Sequence, residues 1–135
     1  MVNSLNMRIT AKRTDWKVLE MSSPYKIDFS IRFTAEQFGK ITCGLVPEEM
    51  EDKWFIFFEN DWLFFHRSWT GHMTYKLRIT RDEQEEDYSI KEFWVERDDS
   101  IYSNTDDAKA IQIVLLLIAN GLLGQDNRDC MLHTS

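Results

Sequence analysis

Residues 62–74 read WLFFHRSWTGHMT and hold the densest group of side chains in the chain that could do chemistry. Apolar residues run from Trp62 into His66, Arg67 and Ser68. The turn-like Trp69-Thr70-Gly71 follows, then His72, with Lys76 a little further on. Imidazole titrates near neutrality and offers a donor, an acceptor or a charge. A guanidinium forks onto carboxylate or phosphate oxygens, and an ammonium adds a point charge. Backbone N–H groups of a glycine-bearing turn can supplement both against an anion. The set therefore suits holding an anion better than breaking a bond. Ser68 lacks the G-x-S-x-G setting of a nucleophile elbow, and a triad would need an acid behind His66 or His72. The two histidines lack a third ligand at a metal-binding spacing, and no phosphate loop or dinucleotide fingerprint occurs. Catalytic residues, cofactors and metals are not expected, and the reading leans away from an enzyme.

The flanking segments must position these groups. Asn60-Asp61 lies between two aromatic runs and suits a two-residue hairpin turn, because both residues tolerate positive φ. Trp69-Thr70-Gly71 suits a three-residue loop with glycine in the left-handed position. With the charged stretch 81–87 as a further connection, the pattern predicts a four-stranded antiparallel meander at about 54–59, 62–68, 72–80 and 88–96. Residues 27–33, IDFSIRF, alternate like a half-buried strand or lead extended into a helix. That helix starts at Thr34 with Gln37 completing a capping box, carries Phe38, Ile41 and Leu45 on one face, and ends near Gly44 and Pro47. A second helix is capped by Asn104 or Thr105 and closes at Gly121 or Gly124. Its apolar residues surround nearly the whole circumference, so the sheet and a second copy of the chain could both cover it. The expected architecture is one α+β domain, a four-stranded antiparallel meander packed with two helices. Residues 1–26 are weakly patterned, with Trp16, Val18 and Leu19 as candidate anchors, and 125–135 reads as a flexible tail.

Hairpin register then sorts the side chains. Phe55 should face His66, Phe57 should face Phe64, and Glu59 should face Trp62. Ser68 should pair with His72 and His66 with Thr74. Trp54, Ile56, Phe58, Leu63, Phe65, Met73, Tyr75, Leu77 and Ile79 fall on a core face, with Arg67 at its rim. The other face combines Trp62 and Phe64 with His66, Ser68, His72 and Lys76: an aromatic floor with cations at one end. Together with Arg67 and the Trp69, Thr70 and Gly71 turn, these are the candidate ligand-binding residues, since pockets join apolar walls to a few convergent polar groups. The competing reading packs Phe55, Phe57 and Phe64 beneath a helix, bonds His66 to a backbone carbonyl and leaves Lys76 and Arg78 solvated.

The net charge of −7 and pI near 4.9 disfavour nucleic acid polymers and anionic membranes, which attract a surplus of Lys and Arg. The longest apolar run, Ile113 to Ala119, is too short to span a bilayer, and residues 1–13 lack a secretion signal's apolar centre. Cys43 and Cys130 show no disulfide framework, so separate thiols in a reducing cytoplasm are expected, although a bridge between them is feasible.

The stretch WFIFFENDWLFFHRSWTG, with the later NTDDAKAIQIVLLLIANGLL, resembles the core of small uncharacterised bacterial and phage proteins sharing an HRSWTG string. That resemblance covers about residues 53–79 and the later helix. It implies that Trp62 and His66 to Gly71 act as a unit, and it implies no activity. Three functions compete. The first is a binding module for a small anionic, nucleotide-derived ligand, in the manner of a phage protein that sequesters a host's defence signal. The second is an immunity or anti-defence inhibitor that uses its acidic surface and exposed Trp residues against a basic enzyme, with the 82–87 acids as the charges whose neutralisation should abolish capture. The third is a hydrolase using His66 or His72.

Overall fold

The computed structural model describes residues 10–102 and 105–124; the tail expected at 125–135 and the candidate cap Asn104 lie outside them. Its centre is an antiparallel sheet. β3 (Trp54–Glu59) and β4 (Trp62–Arg67) are joined by Asn60 and Asp61, at φ 52° and 75°. Both turn residues are left-handed, as a turn matching the strand twist requires. The expected register holds across this hairpin: Phe55 faces His66, Phe57 faces Phe64, and Glu59 faces Trp62. β5 (Met73–Arg81) and β6 (Tyr88–Glu96) continue the meander.

The sheet is larger than the expected four strands. β1 (Pro24–Ile27) and β2 (Arg32–Phe33) both pair with the free edge of β6, giving six strands in the order β1-β6-β5-β4-β3 with β2 also on β6. The alternating stretch 27–33 is therefore split between two short strands. An open β6 edge would present a row of unpaired backbone groups, and these segments satisfy it. Glu96 anchors the arrangement. Its buried carboxylate accepts the backbone N–H groups of Ser22 and Ser23, both at 2.7 Å, and of Asp98 at 3.1 Å.

α1 (Ala35–Ile41) begins with the expected capping box, Thr34 and Gln37 each accepting the other's backbone N–H. α2 (Asp107–Leu116) is capped by Asp106 instead of Asn104 or Thr105. The Asp106 carboxylate accepts from the N–H groups of Ala108 and Lys109. The chain then widens into a π turn over Leu117–Leu122, so Gly121 lies inside the helical segment instead of closing it. Ala110, Val114, Ile118 and Leu122 form a four-residue-spaced stripe buried in the main core, whereas Leu116 is exposed. The sheet thus buries one stripe of this helix, not its whole circumference. Among the described residues no helix is long and apolar enough to cross a membrane.

The main core lies between the helices and one sheet face, where Ile56, Leu63, Phe65, Tyr75, Leu77 and Ile79 gather as their alternation requires. A smaller cluster on the opposite face joins Ala11 to Phe55 and Phe57. Cys43, expected as a free thiol, is buried and disulfide-bonded; Cys130 lies outside the described residues.

Gly44 links the two layers. At φ 70° it would place a Cβ 2.3 Å from the Ile56 carbonyl oxygen and 2.8 Å from the Ala11 Cβ. Gly39, inside α1, has nothing within 4 Å of an added Cβ. Urea denaturation should therefore show Gly44→Ala destabilised by at least about 2 kcal/mol. Gly39→Ala should gain about 0.5–1 kcal/mol from helix propensity.

Candidate functional site

Between β4 and β5 the register shifts. Trp62 faces Arg78, Phe64 faces Lys76 and Phe65 faces Tyr75, but His66 then faces Met73, leaving Thr74 as the extra residue of a bulge. Arg67 N–H donates to the His72 carbonyl at 2.9 Å, and Gly71 N–H donates to the Arg67 carbonyl at 2.8 Å. His72 consequently stands opposite Arg67, not opposite Ser68 as the uninterrupted register predicts. Gly71 does adopt the expected left-handed conformation, at φ 84°, inside a wider loop than three residues. This shift divides the expected cradle between two environments.

His66 belongs to the closed one. Its ring lies nearly parallel to Phe57, with centroids 5.6 Å apart, and is 1% exposed. A strap formed by residues 10–20 covers this face. Ala11 N–H donates to the Cys43 carbonyl, Leu19 N–H donates to the Gly71 carbonyl, and the Trp16 indole N–H donates to the Ser68 carbonyl. The Arg13 guanidinium lies over Phe57 and Phe64 and is held by Glu59. His66 Nδ1 lies 2.9 Å from the Gly71 carbonyl oxygen, which can only accept, so Nδ1 carries the proton. Nε2 is buried without a hydrogen-bond partner among the described residues. Burial lowers the pKa of this imidazole, nearby Arg13 lowers it further, and the Gly71 bond and Glu20 oppose both. The competing sequence reading describes His66 correctly, except that the cover is a strap with a single 3-10 turn at Arg13–Asp15 and not an α-helix.

The open environment is a cleft of about 610 Å³. Lys53, preceding β3, and Arg67, ending β4, supply two cations. The loop between β4 and β5 contributes Trp69, Thr70 and His72, and the turn after β6 contributes Ser100, Ile101 and Tyr102. The Arg67 guanidinium rests over the Trp54 ring, 4.9 Å from its centroid. The Tyr102 and Tyr75 hydroxyls are 2.5 Å apart; burial and this bond push the Tyr75 phenol well above its ordinary value. Asp98 folds the facing turn by accepting the Ser100 N–H and hydroxyl. These bonds, a Ser22 hydroxyl and nearby His72 hold its carboxyl below the usual range. Cations over aromatic walls can fix an anion attached to a flat ring.

Of the sequence candidates, the cleft unites Arg67, Trp69, Thr70 and His72. Ser68 braces its base, donating its hydroxyl to the Asp52 carbonyl at 2.7 Å and its N–H to the Lys53 carbonyl. Gly71 packs against Lys17 of the strap. Trp62, Phe64 and Lys76 stay on the opposite sheet face, where Lys76 Nζ lies 5.0 Å from the Trp62 ring and 6.0 Å from the Trp94 ring. His66 and His72 therefore do not converge. The sequence reading missed Lys53 and Tyr102. The β3–β4 register could have placed Lys53 opposite Ser68, but nothing local marks the return of residues 100–102. Comparison with protein-family models, curated proteins and solved structures gives no match.

His66 also generates a pH dependence. Because its folded-state pKa is depressed, the unfolded chain takes up the proton first as pH falls below about 6.5. Its contribution to stability is complete above that value and is lost as pH falls toward the folded-state pKa. Urea midpoints measured from pH 7.5 to 5.5 should decline, and His66→Phe, which preserves the stacking on Phe57, should flatten the decline.

Proposed function

We propose that the chain is a non-enzymatic binding module for a small anionic ligand of nucleotide-derived character. One observation carries this reading. Lys53 and Arg67, neither in a salt bridge among the described residues, share a single cleft with His72 and the Trp69 indole. In a chain of net charge −7, two cations left without carboxylate partners form a local reversal of sign. The volume suits a nucleotide-sized molecule. Arg67 would fork onto phosphate oxygens, Lys53 and His72 would add charge or donors, and Trp69 would offer a stacking face for a base. Among the described residues the Ser100 hydroxyl donates to the Asp98 carboxylate and makes no bond to His72, so no hydroxyl is activated by a base, and binding without turnover fits the cleft better than hydrolysis. Sequestration of a signalling nucleotide is a role such a module could fill unaided.

Thermal-shift and calorimetric titration with ADP-ribose, cyclic dinucleotides and mononucleotides tests this reading. A cognate ligand at 100 times its Kd should add about 2.7 kcal/mol of stability. Arg67→Ala should weaken binding by about tenfold or more, the effect of losing one charge-assisted contact. Lys76→Ala, on the opposite face, should leave it unchanged. Stabilisation by none of these compounds, or equal losses from the two substitutions, would remove the cleft as the site.

A further inference from the structure

The largest exposed apolar side chains beside this cleft are Met50, 76% exposed, and Trp69, 73% exposed, with Trp16 partly exposed nearby. They gather on a ledge between the strap, the loop 47–52 and the loop 68–71, where a shallow recess of about 290 Å³ is lined by Trp16, Glu48, Met50 and Trp69. Exposed residues are commonly mobile, but these are fixed from behind. The Trp69 indole N–H donates to the Met50 carbonyl at 3.1 Å, and the Trp16 indole N–H donates to the Ser68 carbonyl at 2.7 Å. The Asp52 carboxylate accepts the Glu48 and Glu49 N–H groups, and the Ser68 hydroxyl ties the Asp52 carbonyl to the neighbouring loop. Both indoles thus spend their only donor on the backbone; Trp69 remains largely exposed, whereas Trp16 stacks on Phe55 with centroids 6.2 Å apart and keeps only part of its ring at the surface. Rigid aromatics with satisfied polar atoms are suited to anchoring a partner at low entropic cost.

The charge around the ledge selects the partner. Glu48, Glu49 and Glu51 border Met50, and none makes a salt bridge among the described residues. The acids of 82–87 are more heavily committed: Asp82 accepts from Lys91 and Ser89, and Arg32 pairs with Asp82 and Glu85. We infer that the Trp16–Met50–Trp69 ledge docks a partner protein segment that presents an apolar side chain flanked by Lys or Arg. Apolar contact with a thioether and two indoles supplies the anchor, and the three unpaired glutamates set the sign of the flanking charge. An anionic membrane or nucleic acid would be repelled by the same glutamates.

The test uses the whole chain with three labelled synthetic peptides: a Lys-Leu repeat, its Glu-Leu counterpart and a Lys-Gly repeat. The Lys-Leu peptide should bind at least about tenfold more tightly than either control. It should shift the indole N–H resonances of Trp16 and Trp69 while leaving those of Trp62 and Trp94 in place. Met50→Ser and the combined Glu48→Gln, Glu49→Gln and Glu51→Gln variant should each weaken it by about tenfold. Both changes lie on the surface, so folding survives them. Equal binding of the three peptides, no binding, or affinity indifferent to both variants would overturn the inference. Arg67→Ala should leave peptide affinity unchanged, which keeps this result separate from that of the anion cleft.

Discussion

The single residue of extra length at Thr74 decides what the rest of this molecule can offer. In an unbroken ladder, alternation would carry His66, Ser68 and His72 along one face of the sheet, with Lys76 beside them. The bulge absorbs one residue of β5, so everything beyond it toward the loop changes partner. Arg67 meets His72 across the backbone, and the two reach the cleft together. His66, still in phase with Phe55 on β3, is left behind on the other face. A rule with a period of two cannot survive an insertion of one.

The face that keeps His66 is an aromatic layer that needs a cover, and the chain supplies it from residues 10–20. The strap is tied by backbone bonds at its two ends, to Cys43 and to Gly71, with Ala11 and Val18 packed on the aromatic layer and the Trp16 and Arg13 side chains between. The Gly71 carbonyl receives both the Leu19 N–H and the His66 imidazole proton. The loop that shapes the cleft on one side therefore also clamps the strap on the other. Protonating His66 would place a second buried N–H at Nε2, which has no partner among the described residues. Burial consequently stabilises the neutral ring and couples the closed face to pH.

Trp69 stands between two surfaces of opposite sign. On one side lie Lys53, Arg67 and His72; on the other lie Glu48, Glu49 and Glu51. Its indole N–H is fixed to the Met50 carbonyl, so the ring serves as a wall shared by both surfaces. The anion and the basic segment proposed for these surfaces would thus draw on different charges.

Local chemistry alone determined the parts of the fold whose signals lie within a few residues of one another. Asn60 and Asp61 specify their turn because both accept positive φ, and Thr34 with Gln37 specifies a helix start because each satisfies the other's backbone. The alternation in 54–65 separates core from opposite face for the same reason: neighbouring side chains on a strand must point apart. Tertiary structure decided what depends on distant partners. The β6 edge drew in β1 and β2, residues whose alternation alone could not say what they would pair with. The bulge became visible only in the pairing of β4 with β5, and Tyr102 reached the cleft only through the turn after β6. Periodicity fixes the orientation of a side chain relative to its neighbours; which face is covered, and by which distant segment, is settled by backbone bonds and packing that no local pattern encodes.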